Sequence, residues 1–308
     1  MDGDTLLAAS PFTVEFWHRA GITWTLQAEF PRFSGGGFFR SISLDGDTAV
    51  VGNPNNDGYT GSVYVFTHSN NIWEFQQKIK APDMVSTNGI AFGSSISLNG
   101  DTLLVGAVND SERGDRAGSA YVFTRSEGEW ISQQKLNLPE DYSADELGKK
   151  AHFGSAVALK GDTSLVLAPF NNDTQYGRLY VFTRSGTDWS QQQEIIFDDA
   201  EKNIFYDSPG LLSLDRYTDT VLVGADLENA QTGAVYILTR SETGWSRQGK
   251  IIAQDAELRA RFGLSVSLSN HTAFISNYYN VSDRPPSSLY IYNLLADTDS
   301  DADGVPDD

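Results

Sequence analysis

The residues most suggestive of chemistry lie at the C-terminal end, where Asp297, Asp299, Asp301, Asp303-Gly304 and Asp307 follow one another. Carboxylates at alternating positions followed by glycine open a calcium loop, because a hard cation needs six or more oxygens gathered over a short sharp turn. Asp299, Asp301 and Asp303 take the first, third and fifth places, Gly304 the turn and Asp307 the ninth. The bidentate twelfth ligand would fall past Asp308, so calcium is expected of a longer segment, and the residues as they stand also read as an acidic tail.

A second group of oxygen-bearing side chains recurs in short polar loops: Asn53, Asn55 and Asp57; Asn109 and Asp110; Asn171 and Asp173; and Asp226. Such loops offer ligands to cations or sugar hydroxyls. The same residue types also make turns, and that is the simpler reading of them. The four histidines, His18, His68, His152 and His271, show no metal-ligand spacing, and His68 stands where other repeats carry arginine, which makes it a surface residue. No glycine-rich phosphate loop, nucleophile elbow or paired-histidine motif occurs. No catalytic residue is assigned, and the chain is read as non-enzymatic.

What must position these loops is a repeat. Trp24, Trp73, Trp130, Trp189 and Trp245 are separated by 49, 57, 59 and 56 residues. Ahead of each lies an aromatic strand: Tyr64-Val65-Phe66, Tyr121-Val122-Phe123, Tyr180-Val181-Phe182 and Tyr236-Ile237-Leu238, with Glu15-Phe16-Trp17 a degenerate first copy and Tyr290-Ile291-Tyr292 a last one. A Gly-Asp-Thr turn opens a continuous apolar run at Gly46, Gly100 and Gly161, as expected of a strand buried on both faces. In one complete unit, Phe92–Leu98 alternates apolar and small polar residues, Asn99-Gly100 is a hairpin turn, and Trp130–Leu136 is the outer strand. Four antiparallel strands in about 50 residues make one propeller blade. The expected fold is all-β, a β-propeller of six recognisable four-stranded repeats over residues 1–295, six or seven blades after closure, with 296–308 as the acidic tail. No segment reads as a helix. The first unit begins at its second strand and the last stops after its third, so both end units are expected to be incomplete. The in-phase tryptophans are read as blade packing rather than sugar platforms.

This pattern resembles the FG-GAP repeat of integrin α-subunit propellers and bacterial secreted proteins. The Phe-Gly pair stands at Phe92-Gly93, Phe153-Gly154 and Phe262-Gly263, and the Gly-Ala-Pro element survives in part at Gly52-Asn53-Pro54, Gly106-Ala107 and Gly224-Ala225. The Thr-Arg-Ser-x-x-x-Trp turns ending at Trp130, Trp189 and Trp245 are similar to the bacterial members. The resemblance implies a partner-binding propeller. It does not carry blade calcium sites over, because the connection Leu98-Asn99-Gly100-Asp101 is too short to wrap a cation. The tail is similar to thrombospondin type 3 repeats.

Charge narrows the partners. With 22 Lys+Arg against 41 Asp+Glu the net charge is −19, which repels nucleic acid and anionic lipid and suits cations, basic proteins or neutral sugars. No cysteine is present and no run spans a bilayer, so no membrane insertion is expected. The expectation is a monomeric, extracellular or cell-surface binding module contacting protein or carbohydrate, read as a piece of a longer exported product. Two alternatives stand beside it. One is a glycan-processing enzyme using carboxylates such as Asp173 or Asp226 at the propeller mouth; the other is a passive spacer in a large surface protein.

Overall fold

The computed structural model describes residues 1–10, 12–31, 36–83, 89–139, 150–169, 176–198, 204–205, 208–255, 257–278 and 287–294. The chain is all-β and of the β-propeller class, organised as six blade-type antiparallel sheets. It divides into two compact units, Met1–Asn203 with Asp207–Pro209, and Ile204–Tyr206 with Gly210–Asp308.

The first unit contains four sheets. The first sheet holds β1 (Thr5–Ala9), β2 (Thr13–Ala20) and β3 (Thr23–Pro31). The second holds β4 (Ser41–Asp45), β5 (Thr48–Asn53), β6 (Ser62–Ser69) and β7 (Ile72–Ile79). The third holds β8 (Phe92–Asn99), β9 (Thr102–Ala107), β10 (Ser119–Ser126) and β11 (Glu129–Leu136). The fourth holds β12 (Ala156–Lys160), β13 (Thr163–Ala168), β14 (Arg178–Ser185) and β15 (Asp188–Ile196). In the second unit, the fifth sheet holds β16 (Leu212–Leu214), β17 (Thr220–Ala225), β18 (Ala234–Ser241) and β19 (Gly244–Ile251). The sixth holds β20 (Ser265–Ser269), β21 (Thr272–Ser276) and β22 (Leu289–Asn293). Strands pair in chain order, and the first and sixth sheets have three strands among the described residues, as the incomplete end units predict.

The second strands β5, β9 and β13 are buried along their whole length, as their apolar runs require. The turn that precedes each is braced from within its own sheet. The carbonyls of Asp47, Asp101, Asp162 and Asp219 accept the main-chain N–H of His68, Arg125, Arg184 and Arg240 at 2.8–2.9 Å. The Arg125 and Arg184 guanidiniums then donate to the Asp101 and Asp162 carboxylates, both at 2.7 Å, and lie 5.5 and 5.3 Å over the rings of Trp130 and Trp189. The same guanidiniums reach back to the preceding sheet, donating to Thr48 Oγ1 at 2.9 Å and Thr102 Oγ1 at 3.0 Å. The Gly-Asp-Thr element therefore serves two sheets, its aspartate its own and its threonine the next. His68 takes the arginine's place, but not as a surface residue. Its ring stacks on Trp73 at 4.9 Å and its side chain is only 21% exposed, because the position lies under the turn.

Sheet junctions are built around two glycines. A Cβ on Gly52, Gly106 or Gly224 would lie 2.3, 2.0 and 2.0 Å from the carbonyl oxygen of Gly93, Gly154 and Gly263 respectively, so only hydrogen fits there. The second glycine of each pair follows the buried phenylalanine and adopts φ of +88° to +90°. Phe92, Phe153 and Phe262 hydrogen-bond through their main chain to Thr60, Ala117 and Thr232 at 2.9–3.0 Å and are fully buried. Register identifies Ala9 with Phe39, and Leu167 with Pro209, as the positions of the same pair elsewhere in the sequence. Both glycines are lost together, as expected when each exists to admit the other. Serines link neighbouring inner strands: Leu98 N donates to Ser43 Oγ at 3.1 Å, Leu159 N to Ser97 Oγ at 3.0 Å and Leu268 N to Ser213 Oγ at 2.9 Å.

One expectation needs correction. The small polar residues of Phe92–Leu98 are buried along with the apolar ones, Ser94 and Ser95 among them, and Ser95 donates to Gly154 O at 2.7 Å. Two short helical turns, Asn56–Tyr59 and Glu228–Gln231, also occupy loops read as irregular. Each carries left-handed residues (Asp57 and Gly58; Asn229 and Ala230), a conformation that helix periodicity does not reveal.

Candidate functional site

The loops between second and third strands hold Asp57, Asp110 and Asp226 of the charged groups that sequence reasoning singled out. In the third sheet that loop runs from β9 to β10 over a cleft of about 420 Å³ lined by Asp83, Asp110, Glu112, Tyr121 and Lys135, among others. Asp110 is buried rather than displayed. It accepts from Ser119 Oγ at 2.6 Å, Tyr121 OH at 3.0 Å and Glu112 N at 3.0 Å, and pairs with Lys135 at 2.8 Å. Lys135 also contacts Asp83 at 2.7 Å and Glu112 at 2.5 Å, so one ammonium is ringed by three carboxylates. Burial alone would raise the Asp110 carboxyl and lower Lys135. The ion pairs and hydrogen bonds outweigh it, holding Asp110 below the ordinary carboxylate value and Lys135 above the ordinary lysine value. Burial and the Asp110 charge raise Tyr121, which stays a neutral phenol.

The arrangement repeats with different acids. In the second sheet Asp57 pairs with Lys80 at 2.5 Å and Lys78 at 2.9 Å, which hold its carboxyl low, while burial pushes Tyr64 up to about 12. In the fifth sheet Lys250 pairs with the buried Glu228 and lies 5.2 Å over Tyr236. The fourth sheet exchanges the signs: Glu194 stands opposite Tyr180 and pairs with Arg178 at 2.6 Å. The lysines were missed in the sequence, although the recurring ends Gln76-Gln77-Lys78-Ile79 and Gln133-Gln134-Lys135-Leu136 were its signal.

The remaining predicted residues separate by environment. Asn53 is fully buried, with Nδ2 donating to Gly36 O at 3.1 Å, and is a scaffold residue. Asn55 is exposed, and Asn109 is half-buried with its N–H bonded to Ile90 O at 3.1 Å. Asp226 is fully buried and bonded by Arg261 Nε at 3.0 Å and Nη2 at 2.5 Å. Asn53, Asp110 and Asp226 are thus buried within the fold rather than displayed at its surface. Asn171, Asp173, Asp299, Asp301, Asp303 and Asp307 lie outside the described residues. Among the described residues no group of three or more His, Asp or Glu side chains is disposed to hold a metal ion.

Chemically, these clusters are networks of ion pairs. Asp57 and Asp110 are held low, and Tyr64 and Tyr121 are held protonated. Such groups neither donate nor accept a proton near neutral pH, as a general acid or base must. What they present to solvent is negative potential at the cleft rim, from Asp83 and Glu112 at 39% and 59% side-chain exposure.

Three segments, residues 34–66, 73–123 and 245–292, match the FG-GAP repeat family model. The second and third of them contain Phe92-Gly93 and Phe262-Gly263, so the matched repeats include the Phe-Gly pair described above. Comparison with curated proteins gives no match. Among solved structures, a Bacteroides uniformis protein provisionally assigned as a 6-phosphogluconolactonase superposes with a TM-score of 0.60 at 10% identity, over 95% of this chain and 84% of that one. At that identity the similarity is one of fold.

Proposed function

We propose that this FG-GAP-repeat propeller is a non-enzymatic, monomeric binding module that works outside the cell and contacts protein or carbohydrate through its second-to-third-strand loops. The observation that carries the reading is the state of the loop carboxylates. Asp57, Asp110, Asp226 and Glu228 are each neutralised by a lysine or arginine, which suits a rigid charged scaffold rather than an acid–base pair. The net charge of −19 and the rim carboxylates Asp83 and Glu112 favour basic protein surfaces or neutral glycans as partners. Calcium belongs to the same proposal through Asp299, Asp301, Asp303 and Asp307, whose spacing is that of an opening calcium loop.

A glycan and matrix-protein array, read with calcium and again with chelator, tests this. Reproducible binding to one ligand class is the expected result, with loss in chelator assigning calcium to the tail. A blank array under both conditions refutes the binding reading and leaves the spacer.

A further inference from the structure

Three of the loops between second and third strands hold a non-glycine residue in the left-handed conformation at the same place. These are Tyr59 in the second sheet, Arg116 in the third and Gln231 in the fifth, at φ of +70°, +51° and +70°. Each main-chain carbonyl accepts an N–H from the residue just ahead of a Phe-Gly pair: Ala91 at 3.0 Å, His152 at 3.1 Å and Arg261 at 2.8 Å. All three residues are exposed. Glycine adopts this conformation without strain, so the side chain rather than the backbone accounts for a larger residue here. The three side chains also differ, whereas the aromatic strands and Gly-Asp-Thr turns of the same repeats recur.

Tyr59 and Arg116 both border the third-sheet cleft. Gly89 packs on Tyr59 so closely that a Cβ there would lie 2.7 Å from Tyr59 Cβ. The next residue, Ile90, lines the cleft, and its carbonyl accepts Asn109 N at 3.1 Å. On the other side Arg116 N donates to the cleft residue Ser111 through Oγ at 3.1 Å. Tyr59 is 64% exposed, and neither its hydroxyl nor the Arg116 guanidinium has a hydrogen-bond or ion-pair partner among the described residues.

The cleft is rich in acceptors and short of donors. Lys135 directs its three N–H groups to Asp83, Asp110 and Glu112, and Tyr121 OH is committed to Asp83 and Asp110. Asp83 and Glu112 keep lone pairs for a ligand, because a carboxylate offers about four acceptor sites. A cationic ligand would compete with Lys135 and be repelled by Arg116. An anionic one would meet three carboxylates on a chain of net charge −19. What suits the cleft is an uncharged molecule with many hydroxyl donors and an apolar face, which describes a pyranose.

We propose that this cleft, with Tyr59 and Arg116 at its rim, binds a neutral glycan. Sugar hydroxyls donate to Asp83 and Glu112, the Arg116 guanidinium donates to a sugar oxygen, and the Tyr59 ring packs on the C–H face. The inference rests on the loop-face binding reading and narrows it to one cleft and one ligand class.

The probes are neutral hexasaccharides of glucose, mannose, galactose and xylose, tested on the full chain by saturation-transfer NMR and titrated where a signal appears. Saturable binding of at least one is expected. Tyr59→Gly should weaken it about tenfold and leave the urea midpoint near that of the parent, since glycine takes φ of +70° freely. Tyr59→Phe should keep the affinity, and Arg116→Ala should lower it about threefold. Binding indifferent to Tyr59→Gly, or lost equally in Tyr59→Phe, overturns the proposal. An octalysine peptide that binds where the sugars do not, and is released by Glu112→Gln, overturns it while the loop-face reading stands. Silence from every sugar and from the peptide, together with a blank array, removes both.

Discussion

Replacing Gly106 by alanine tests the idea that the paired glycines, rather than the phenylalanine alone, set the spacing between sheets. The new Cβ would stand 2.0 Å from the Gly154 carbonyl oxygen and 2.4 Å from Ser95 Oγ. Restoring ordinary contact distance requires the two backbones to part by about 1 Å or more, since both obstacles are fixed by their sheets. Overpacking of that kind costs about 1–3 kcal/mol. The same movement stretches the Ser95 Oγ to Gly154 O hydrogen bond from 2.7 Å, adding about 1 kcal/mol. A total near 3 kcal/mol shifts a urea midpoint by about 1–3 M for typical denaturant slopes. Gly100→Ala is the control, because Gly100 has φ of +56° with nothing within 4 Å of its Cβ position. It carries only left-handed strain, about 1 kcal/mol. Urea unfolding of both variants followed by tryptophan fluorescence makes the comparison. If Gly106→Ala costs no more than Gly100→Ala, close approach at the junction is not what the glycine pair provides.

Two further outcomes follow from the same contacts. The Asp110 carboxyl is held below its ordinary value of 3.8, so its pairing stabilises the fold fully above that pH and the contribution is lost as pH falls through the depressed folded value. Asp110→Asn should cost about 2 kcal/mol at neutral pH and flatten the acid limb of stability against pH, measured by urea titrations from pH 7 to pH 2; an unchanged acid limb contradicts the assignment. Gln134 clamps the next sheet's outer strand, accepting from Trp189 N at 2.7 Å and donating to Trp189 O at 2.8 Å. Gln134→Ala is therefore expected to cost about 1–2 kcal/mol in thermal or urea unfolding, while Gln192→Ala, whose amide reaches only the exposed Ser190 hydroxyl, stays near zero.

Much of the architecture was legible because a blade imposes its own period. A strand buried on both faces needs an unbroken apolar run such as Thr102–Ala107, and a tight turn needs Gly-Asp, so these landmarks recur wherever a blade does. Even the count of three strands in each end sheet, among the described residues, matches where the landmarks start and stop. The candidate site was legible only as a list of polar loop residues. Asp110 and Asp226 look like displayed ligands in sequence, yet both are buried against Lys135 and Arg261, 25 and 35 residues further on.

By itself, then, the sequence determined the all-β class, the six repeats, the placement of Trp73, Trp130, Trp189 and Trp245 in the core and the acidic surface, since all of these follow from local periodicity and composition. Tertiary structure alone decided which polar residues are scaffold and why the glycines come in pairs. Those properties depend on cross-strand register and on contacts between sheets. A carboxylate is a ligand or a buried counter-ion according to whether a cation from another strand reaches it, and a linear pattern does not record that distance.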